Sequence, residues 1–205
     1  ACRSPVVPTT HRPGVLAALI RANPLGLLVT VGADGPVANP LPLQLTEDGR
    51  LRAHLARANP HIRDLETGAP VLVVFQGEQS YISPEWYATK AETGKVVPTW
   101  NYLMVQARGT PRLITDADWL RGQVDALTRQ MEQDRPEPWQ VSDAPEKYVN
   151  AQIRGIIGVE IDITDLRGKW KAGQNKTPAD RAGVAKALGP THPALADAAS
   201  STGTP

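Results

Sequence analysis

Between Leu25 and Ala56 the chain carries three short apolar runs separated by turn signals, and this limits its fold more than any other feature. Leu25–Val31 is a dense apolar run with strand character. Ala33-Asp34-Gly35 follows as a hairpin turn signal. Val37, Asn39, Leu41, Leu43 and Leu45 then alternate with Pro40, Pro42 and Gln44. Proline has no N–H to give a ladder, so this strand is expected to be an edge or to bulge there. Glu47-Asp48-Gly49 turns the chain again. In Arg50–Ala56, Leu51, Ala53 and Leu55 face one way, and Arg50, Arg52 and His54 the other. Three strands on short hairpins predict an antiparallel meander.

The flanking segments extend the pattern. Val15–Ile20 reads as a short amphipathic helix ended by Asn23-Pro24, and Arg57–Leu65 as a loop entering a short helix. Val71–Gln76 is a buried strand, continued by Ser80–Ile82 after Gly77. Pro84–Gly94 is an irregular excursion containing Trp86 and Tyr87, and the aromatic stretch Gln76–Tyr87 is too apolar to hang in solvent. It is expected to pack on another subunit or cover a ligand, with a tight internal loop as the alternative. Val96–Ile114 reads as a long strand bent near Pro98 and Gly109. Thr115-x-x-Asp118 has the form of a capping box before a helix with Leu120, Val124, Leu127 and Met131 on one face. Asp143-x-x-Glu146 starts a second helix through Ile153.

Ile156–Ile163 alternates, with Val159, Ile161 and Ile163 inward and Glu160 and Asp162 outward. Thr177-Pro178-x-Asp180 is a strong helix start. From Gly189 onward Pro, Ala, Ser and Thr dominate, which reads as a disordered tail. Short hairpins without crossover rhythm, and helices towards the end, imply an α+β fold. Its antiparallel β-barrel is closed or partly closed, with peripheral helices. The expected division is an N-terminal arm over 1–14, one domain over 15–188 and a tail over 189–205. A chain of 205 residues suffices for one such domain and is short for two.

Charge and cysteine narrow the setting. Lys+Arg is 22 and Asp+Glu 21, a net charge of +1, which is no nucleic-acid footprint. The lone cysteine, Cys2, cannot form an internal disulfide, so a reducing, cytoplasmic location is expected. No apolar run approaches the ~20 residues of a membrane span, and Ala1–Pro13 has no signal-peptide core.

Three segments could hold a ligand. His54-Leu55-Ala56-Arg57-Ala58-Asn59-Pro60 runs from a strand into a helix start, where Arg57, Asn59 and free backbone N–H groups suit a phosphate. Lys95-Val96-Val97-Pro98-Thr99-Trp100-Asn101-Tyr102 sets polar Thr99 and Asn101 among strand formers, as contacts to a planar heterocycle require. Lys169-Trp170-Lys171-Ala172-Gly173-Gln174-Asn175-Lys176 places cations, glycine and amides before the Thr177 helix, again suiting an anion. Each also has an ordinary structural explanation: a solvated arginine, an aromatic-rich core strand, a solvated basic loop.

Several chemistries are missing from the pattern. No His/Cys/Asp/Glu group has metal-ligand spacing, and there is no Gly-x-Ser-x-Gly elbow. Neither phosphate-binding glycine motif occurs, and no helix-turn-helix stands out. No residue is an obvious proton donor; Tyr102 and Glu85 come nearest, and each has a structural reading.

Taken in order, five motifs resemble one family. They are Ala56-Arg-Ala-Asn-Pro60, Tyr81-Ile-Ser-Pro-x-Trp-Tyr87, Lys95-Val-Val-Pro-Thr-Trp-Asn-Tyr102, Trp139-x-Val-Ser-Asp143 and Lys169-Trp-Lys-x-x-Gln-Asn-Lys-x-x-x-Asp-Arg181. The chain from about Val15 to Leu188 is similar to the PaiB-type FMN-binding negative transcriptional regulators. That resemblance implies an antiparallel FMN-binding split barrel, related to pyridoxamine phosphate oxidases, which is a homodimer with FMN between subunits. It implies phosphate contacts from Arg57 and Asn59, with Lys169, Lys171, Gln174 and Asn175 as a second group, and ring-side contacts from Thr99, Trp100 and Asn101. The family usually has histidine where this chain has Pro40, Gln106 and Met131, and its Lys-Leu-Ser-Gln-Asn pattern is Lys171-Ala-Gly-Gln-Asn175 here. These departures suggest a repurposed member. The functions then open are a regulator, an FMN-dependent oxidoreductase of a small molecule, or a non-redox flavin binder. Direct nucleic-acid binding has no support in the charge, and no membrane association is expected.

Overall fold

The computed structural model describes residues 9–10, 12–33 and 35–201. Cys2, His11 and the turn residue Asp34 lie outside the described residues. The strands are β1 (Thr9–Thr10), β2 (Leu25–Gly32), β3 (Gly35–Pro42), β4 (Gln44–Leu45), β5 (Arg50–Ala56), β6 (Val71–Ile82), β7 (Thr99–Ile114) and β8 (Ile156–Lys171). The helices are α1 (Pro13–Ala22), α2 (Ile62–Glu66), α3 (Ala88–Thr93), α4 (Ala117–Glu132), α5 (Glu146–Arg154), α6 (Pro178–Leu188) and α7 (Pro193–Ser200). None is long and apolar enough to cross a membrane.

The sheet follows the order β3-β2-β6-β7-β8-β5-β4, with β1 paired to β8 off this path. The path is open, and its two ends, β3 and β4, are separated in sequence by Leu43 alone. The expected meander is therefore only half right. β2 and β3 form the hairpin, from Leu25↔Pro42 to Gly32↔Gly35. β5, however, pairs with β4 only at Gln44↔Arg52 and Leu45↔Leu51, and its long ladder is with β8, from Arg50↔Asp162 to Ala56↔Ile156. The cause is the strand read as Val37–Leu45. Pro40 and Pro42 cannot donate, and Leu43 gives its N–H to the Pro24 carbonyl at 2.8 Å, so the strand breaks there.

The chain divides into two compact units. The second holds Pro24–Val74 and Ala107–Asp165. Leu28, Leu41, Leu51, Ala53, Val73, Val159 and Ile161 are buried in it. Leu120, Val141, Val149 and Ile153 make a further cluster, joined by Trp119 and Ile156. The N-cap of α4 is Asp116, which accepts from Trp119 N–H at 2.7 Å, one residue beyond the expected Thr115. Glu160 departs from expectation more sharply. It points to the outer face but is 1% exposed, because Arg50, Arg52 and Arg112 close over it. Burial alone would push its carboxyl up, yet the hydrogen bonds from Arg112 and Arg52 outweigh that and hold it below the usual range.

The first unit holds the described residues up to Asn23, Phe75–Gln106 and those from Leu166 onward. Phe75, Ile82, Leu103, Val105 and Trp170 are buried here with Leu16, Ile20, Val184 and Leu188. The excursion with Trp86 and Tyr87 is a tight internal segment, a 3₁₀ turn (Pro84–Trp86) followed by α3. Tyr87 is buried, and Gly183 of α6 lies so close to the Trp86 carbonyl that a Cβ would collide with it. Thr177 caps α6 as expected, accepting from Asp180 N–H at 3.2 Å. The stretch read as a tail is helical over Pro193–Ser200, with Leu195 fully buried. Alanine favours helix, and the Glu78 carboxylate accepts the Leu195 N–H at 2.8 Å, satisfying one donor of the helix start.

Candidate functional site

In the first unit the candidate site is built on the start of β7. Pro98 holds the chain extended into the strand, and from there side chains alternate between faces. Thr99 and Asn101 share one face; Trp100 and Tyr102 share the other. The expected ring-side trio is thus split by the strand's period of two. Asn101 is 2% exposed, and its Oδ1 has no hydrogen-bond partner. An unsatisfied buried acceptor costs about 1–3 kcal/mol, so such an atom is poised for a donor. Lys171, at the end of β8, donates from Nζ to Thr99 Oγ1 at 3.0 Å. No carboxylate pairs with this ammonium among the described residues. A half-buried cation is therefore tethered to Thr99, two residues before the buried Asn101 carboxamide.

The neighbouring residues have other roles. Trp100 is half-exposed on the opposite face, donates to Gln79 Oε1 at 3.0 Å and lies edge-on to Tyr81 with centroids 6.3 Å apart. Gln174 is spent on its own loop: Oε1 accepts from Ala172 N–H at 3.1 Å and Nε2 donates to the Trp170 carbonyl at 2.7 Å. Gly173 reaches φ +79°, a conformation glycine adopts freely, and this lets the loop close. Asn175 is exposed, and Lys169 lies on the Lys171 face of β8. Lys176 stacks over the Tyr87 ring at 4.8 Å. Glu85 pairs with Lys90 in the open, so it is not a placed proton donor.

Arg57 and Asn59 belong to the second unit. Arg57 is exposed and donates from Nε to the Arg154 carbonyl at 2.9 Å, which aims its guanidinium. Asn59 Oδ1 accepts from His61 N–H at 3.0 Å. The helix that follows is only Ile62–Glu66, a single turn, so the helix-dipole support expected for an anion there is slight.

Sequence reading did not find a buried relay beside these residues. Thr30 donates to Asp64 Oδ2 at 2.8 Å, and its oxygen lies 2.6 Å from His61 Nε2. With the hydroxyl proton given to Asp64, His61 must carry its proton on Nε2. Its Nδ1 is buried without a partner. Gly32 makes this possible, since a Cβ there would run into the Asp64 carboxylate. Burial holds the imidazole below its ordinary 6.5, against the opposing pull of Asp64. The unfolded chain then binds this proton more readily than the folded one. Stability is therefore expected to be level above about pH 7 and to fall as the pH drops below the ordinary 6.5 through the lower folded value. Urea midpoints across that range should show the fall, and His61→Gln should flatten it.

His54 Nδ1 lies 2.8 Å from Gln123 Oε1, a second contact the sequence could not reveal. The three positions where the resembled family has histidine fall on different elements. Pro40 lies on β3, Gln106 on β7 in the other unit, and Met131 is half-exposed on α4.

Comparison with known proteins matches residues 6–165 to the family described as "Putative FMN-binding domain". An uncharacterised protein of Emericella nidulans is 38% identical, over 83% of each chain. "Protease synthase and sporulation protein PAI 2" of Bacillus subtilis is 30% identical, over 82% of this chain and 80% of its own. Among solved structures, the FAD and heme binding protein of Mycobacterium smegmatis superposes with a TM-score of 0.62 at 21% identity, over 80% of this chain and 74% of that one. At that identity the likeness shows the fold alone: an α+β split barrel.

Proposed function

Since this chain belongs to the "Putative FMN-binding domain" family and FMN is its cofactor, we propose that it is an FMN-dependent oxidoreductase of a small molecule, holding the flavin in a homodimer. The observation that carries this reading is the Lys171 ammonium, tied to Thr99 Oγ1 at 3.0 Å, on a strand that also carries the unpartnered Asn101 Oδ1 two residues on. The donor set fits the group. A flavin ring presents an imide N–H between two carbonyls, and a carboxamide with a nearby ammonium supplies the converse. Lys171, Thr99 and Asn101 would hold the ring. When bound, the flavin supplies electron transfer that no side chain here offers. The chain contributes orientation through Lys171 and Asn101, and an exposed aromatic surface at Tyr81 and Trp100.

The test begins with identifying the chromophore of the purified protein. A yellow protein releasing FMN, bleached anaerobically by NADH or NADPH, is the expected result. A colourless protein without FMN affinity would end the reading. Persistent yellow absorbance with both nucleotides would remove the version in which these nucleotides supply the electrons.

Support for the dimer comes from the β2–β3 hairpin. Its outer face pairs Leu25, Leu27, Val29 and Val31 with Pro42, Pro40, Ala38 and Pro36, with no polar side chain among them. Leu25 is 63% and Val31 73% exposed. Apolar side chains gathered so fully in water favour a covering partner. The double variant Leu27→Glu/Val31→Glu is expected to sediment as a monomer where the parent sediments as a dimer; an unchanged dimer would place the interface elsewhere.

The 30% identity to the sporulation protein favours one second reading, a regulatory role. With a net charge of +1, flavin state or a protein partner is the route this reading takes. Direct DNA contact would show a steep loss of affinity with salt, and an absent gel shift would exclude it.

A further inference from the structure

We propose that a cleft in the first unit, between α1, β6 and α7, binds a small organic amine, with its ammonium held by Glu78 and Asp197 and its hydrocarbon body on an apolar floor. The cleft has a volume of about 510 Å³, within the range of roughly 300–1,000 Å³ usual for small-molecule sites. Its floor is Leu19, Leu103, Trp170 and Ala198, each at most 9% exposed. Two helices supply the walls. Ala18 and Ala22 lie one turn apart on α1. Ala194, Asp197, Ala198 and Ser201 follow at i, i+3, i+4 and i+7, so one stripe of α7 and its C-cap faces the cleft. The alanines keep the space open, because longer side chains at those positions would fill it.

The polar groups select the guest. Glu78 and Asp197 both line the cleft, and no lysine or arginine lines it. Neither carboxylate has a cationic partner among the described residues. Glu78 is half-buried, and its Oε2 accepts the Leu195 N–H at 2.8 Å. That bond fixes the side chain at the start of α7 and leaves Oε1 for a guest. Asp197 stands exposed at the rim. Asn23 donates from Nδ2 to the Leu19 carbonyl at 2.9 Å, so its side-chain oxygen is a further acceptor. Arg181 is engaged at the end of the α7 stripe, donating to the Ser201 carbonyl at 2.6 Å. The cleft therefore offers acceptors and negative charge over a hydrocarbon floor. An ammonium offers donors and no acceptor, which is the converse. A carboxylate or phosphate guest would meet like charge, and a neutral alcohol would gain the floor without the charge pairing.

Calorimetric titration of the whole chain with hexylamine, hexanol and hexanoate, in saturating FMN, tests this. One aliphatic body then carries a cation, a neutral group or an anion. Hexylamine is expected to bind on the order of tenfold more tightly than hexanol, and hexanoate more weakly than either. Glu78→Gln keeps an acceptor for the Leu195 N–H while removing the charge. It and Asp197→Asn are each expected to weaken hexylamine, and together to bring it to the level of hexanol, whose affinity neither changes. Ala18→Leu, on the exposed wall, is expected to weaken amine and alcohol alike by filling the cleft. Circular dichroism checks the fold; should Glu78→Gln not fold, the exposed Asp197→Asn carries the charge test alone. No binding of hexylamine, equal affinity for amine and alcohol, or an unchanged amine affinity in the charge variants would each overturn the proposal. Displacement of FMN by hexylamine would place the amine in the flavin site and overturn it as well.

Discussion

Glu160→Ala is expected to lower the free energy of unfolding by about 2–3 kcal/mol, with the loss readable in urea denaturation. The carboxylate is 1% exposed on β8, and Arg52 Nε meets it at 2.5 Å. Arg112 bonds to its other oxygen, and Arg50 lies 3.9 Å away. Removing the anion leaves Arg52 and Arg112 over a cavity without their carboxylate, while Arg50 keeps Asp48 at 3.1 Å and Asp162 at 2.9 Å. The arginines are 33–53% exposed, so water softens the penalty below that of a fully buried ion pair. Arg112→Ala, removing the most exposed partner, should cost less. Because the folded carboxyl titrates below its ordinary 4.5, its contribution is present above that pH and is lost as pH falls through the folded value. Glu160→Gln should remove that acid-limb dependence. Equal stability of parent and Glu160→Ala would show that the arginines are fully resolvated without it.

Gly109→Ala is expected to be more severe still, about 3 kcal/mol or more, with little folded protein at 37 °C. Gly109 lies on β7 where β8 passes, and an added Cβ would collide with the Asp162 carbonyl oxygen and the Ile161 side chain. A side chain could turn away; a backbone oxygen in a ladder cannot move without parting the strands. Gly122 on α4 provides the contrast, since nothing lies within 4 Å of its added Cβ. Gly122→Ala is expected to stabilise by about 0.5–1 kcal/mol, because alanine restricts the unfolded chain and favours helix. Equal thermal midpoints for the two variants would contradict the close approach at Gly109.

Much of this could be read in consecutive residues. The β2–β3 hairpin and the Thr177 cap are local patterns, and each formed as expected; Ile156–Ile163 formed its strand, but Glu160, expected outward, is buried. Asn101 and Thr99 were recognisable as polar residues among strand formers. Trp100 joined them only because proximity in sequence hides the opposite face of a strand. Gln174 also makes two hydrogen bonds within its own loop, which its residue type does not reveal. The His61–Thr30–Asp64 relay left no sequence signal, since its members are brought together by β2 meeting α2.

The boundary between the two kinds of information is physical. Turn chemistry, capping and period-two alternation depend on neighbours a few residues away, so the amino-acid order alone determined the strands, most helices and the α+β class. Whether a polar residue is paired, buried or left open depends on atoms contributed from distant segments. Tertiary packing alone therefore decided that Glu160 is covered by arginines, that Pro193–Ser200 is held as a helix by Glu78, and that β5 pairs with β8. It also decided that Lys171 donates to Thr99 and that the buried Asn101 Oδ1 has no partner.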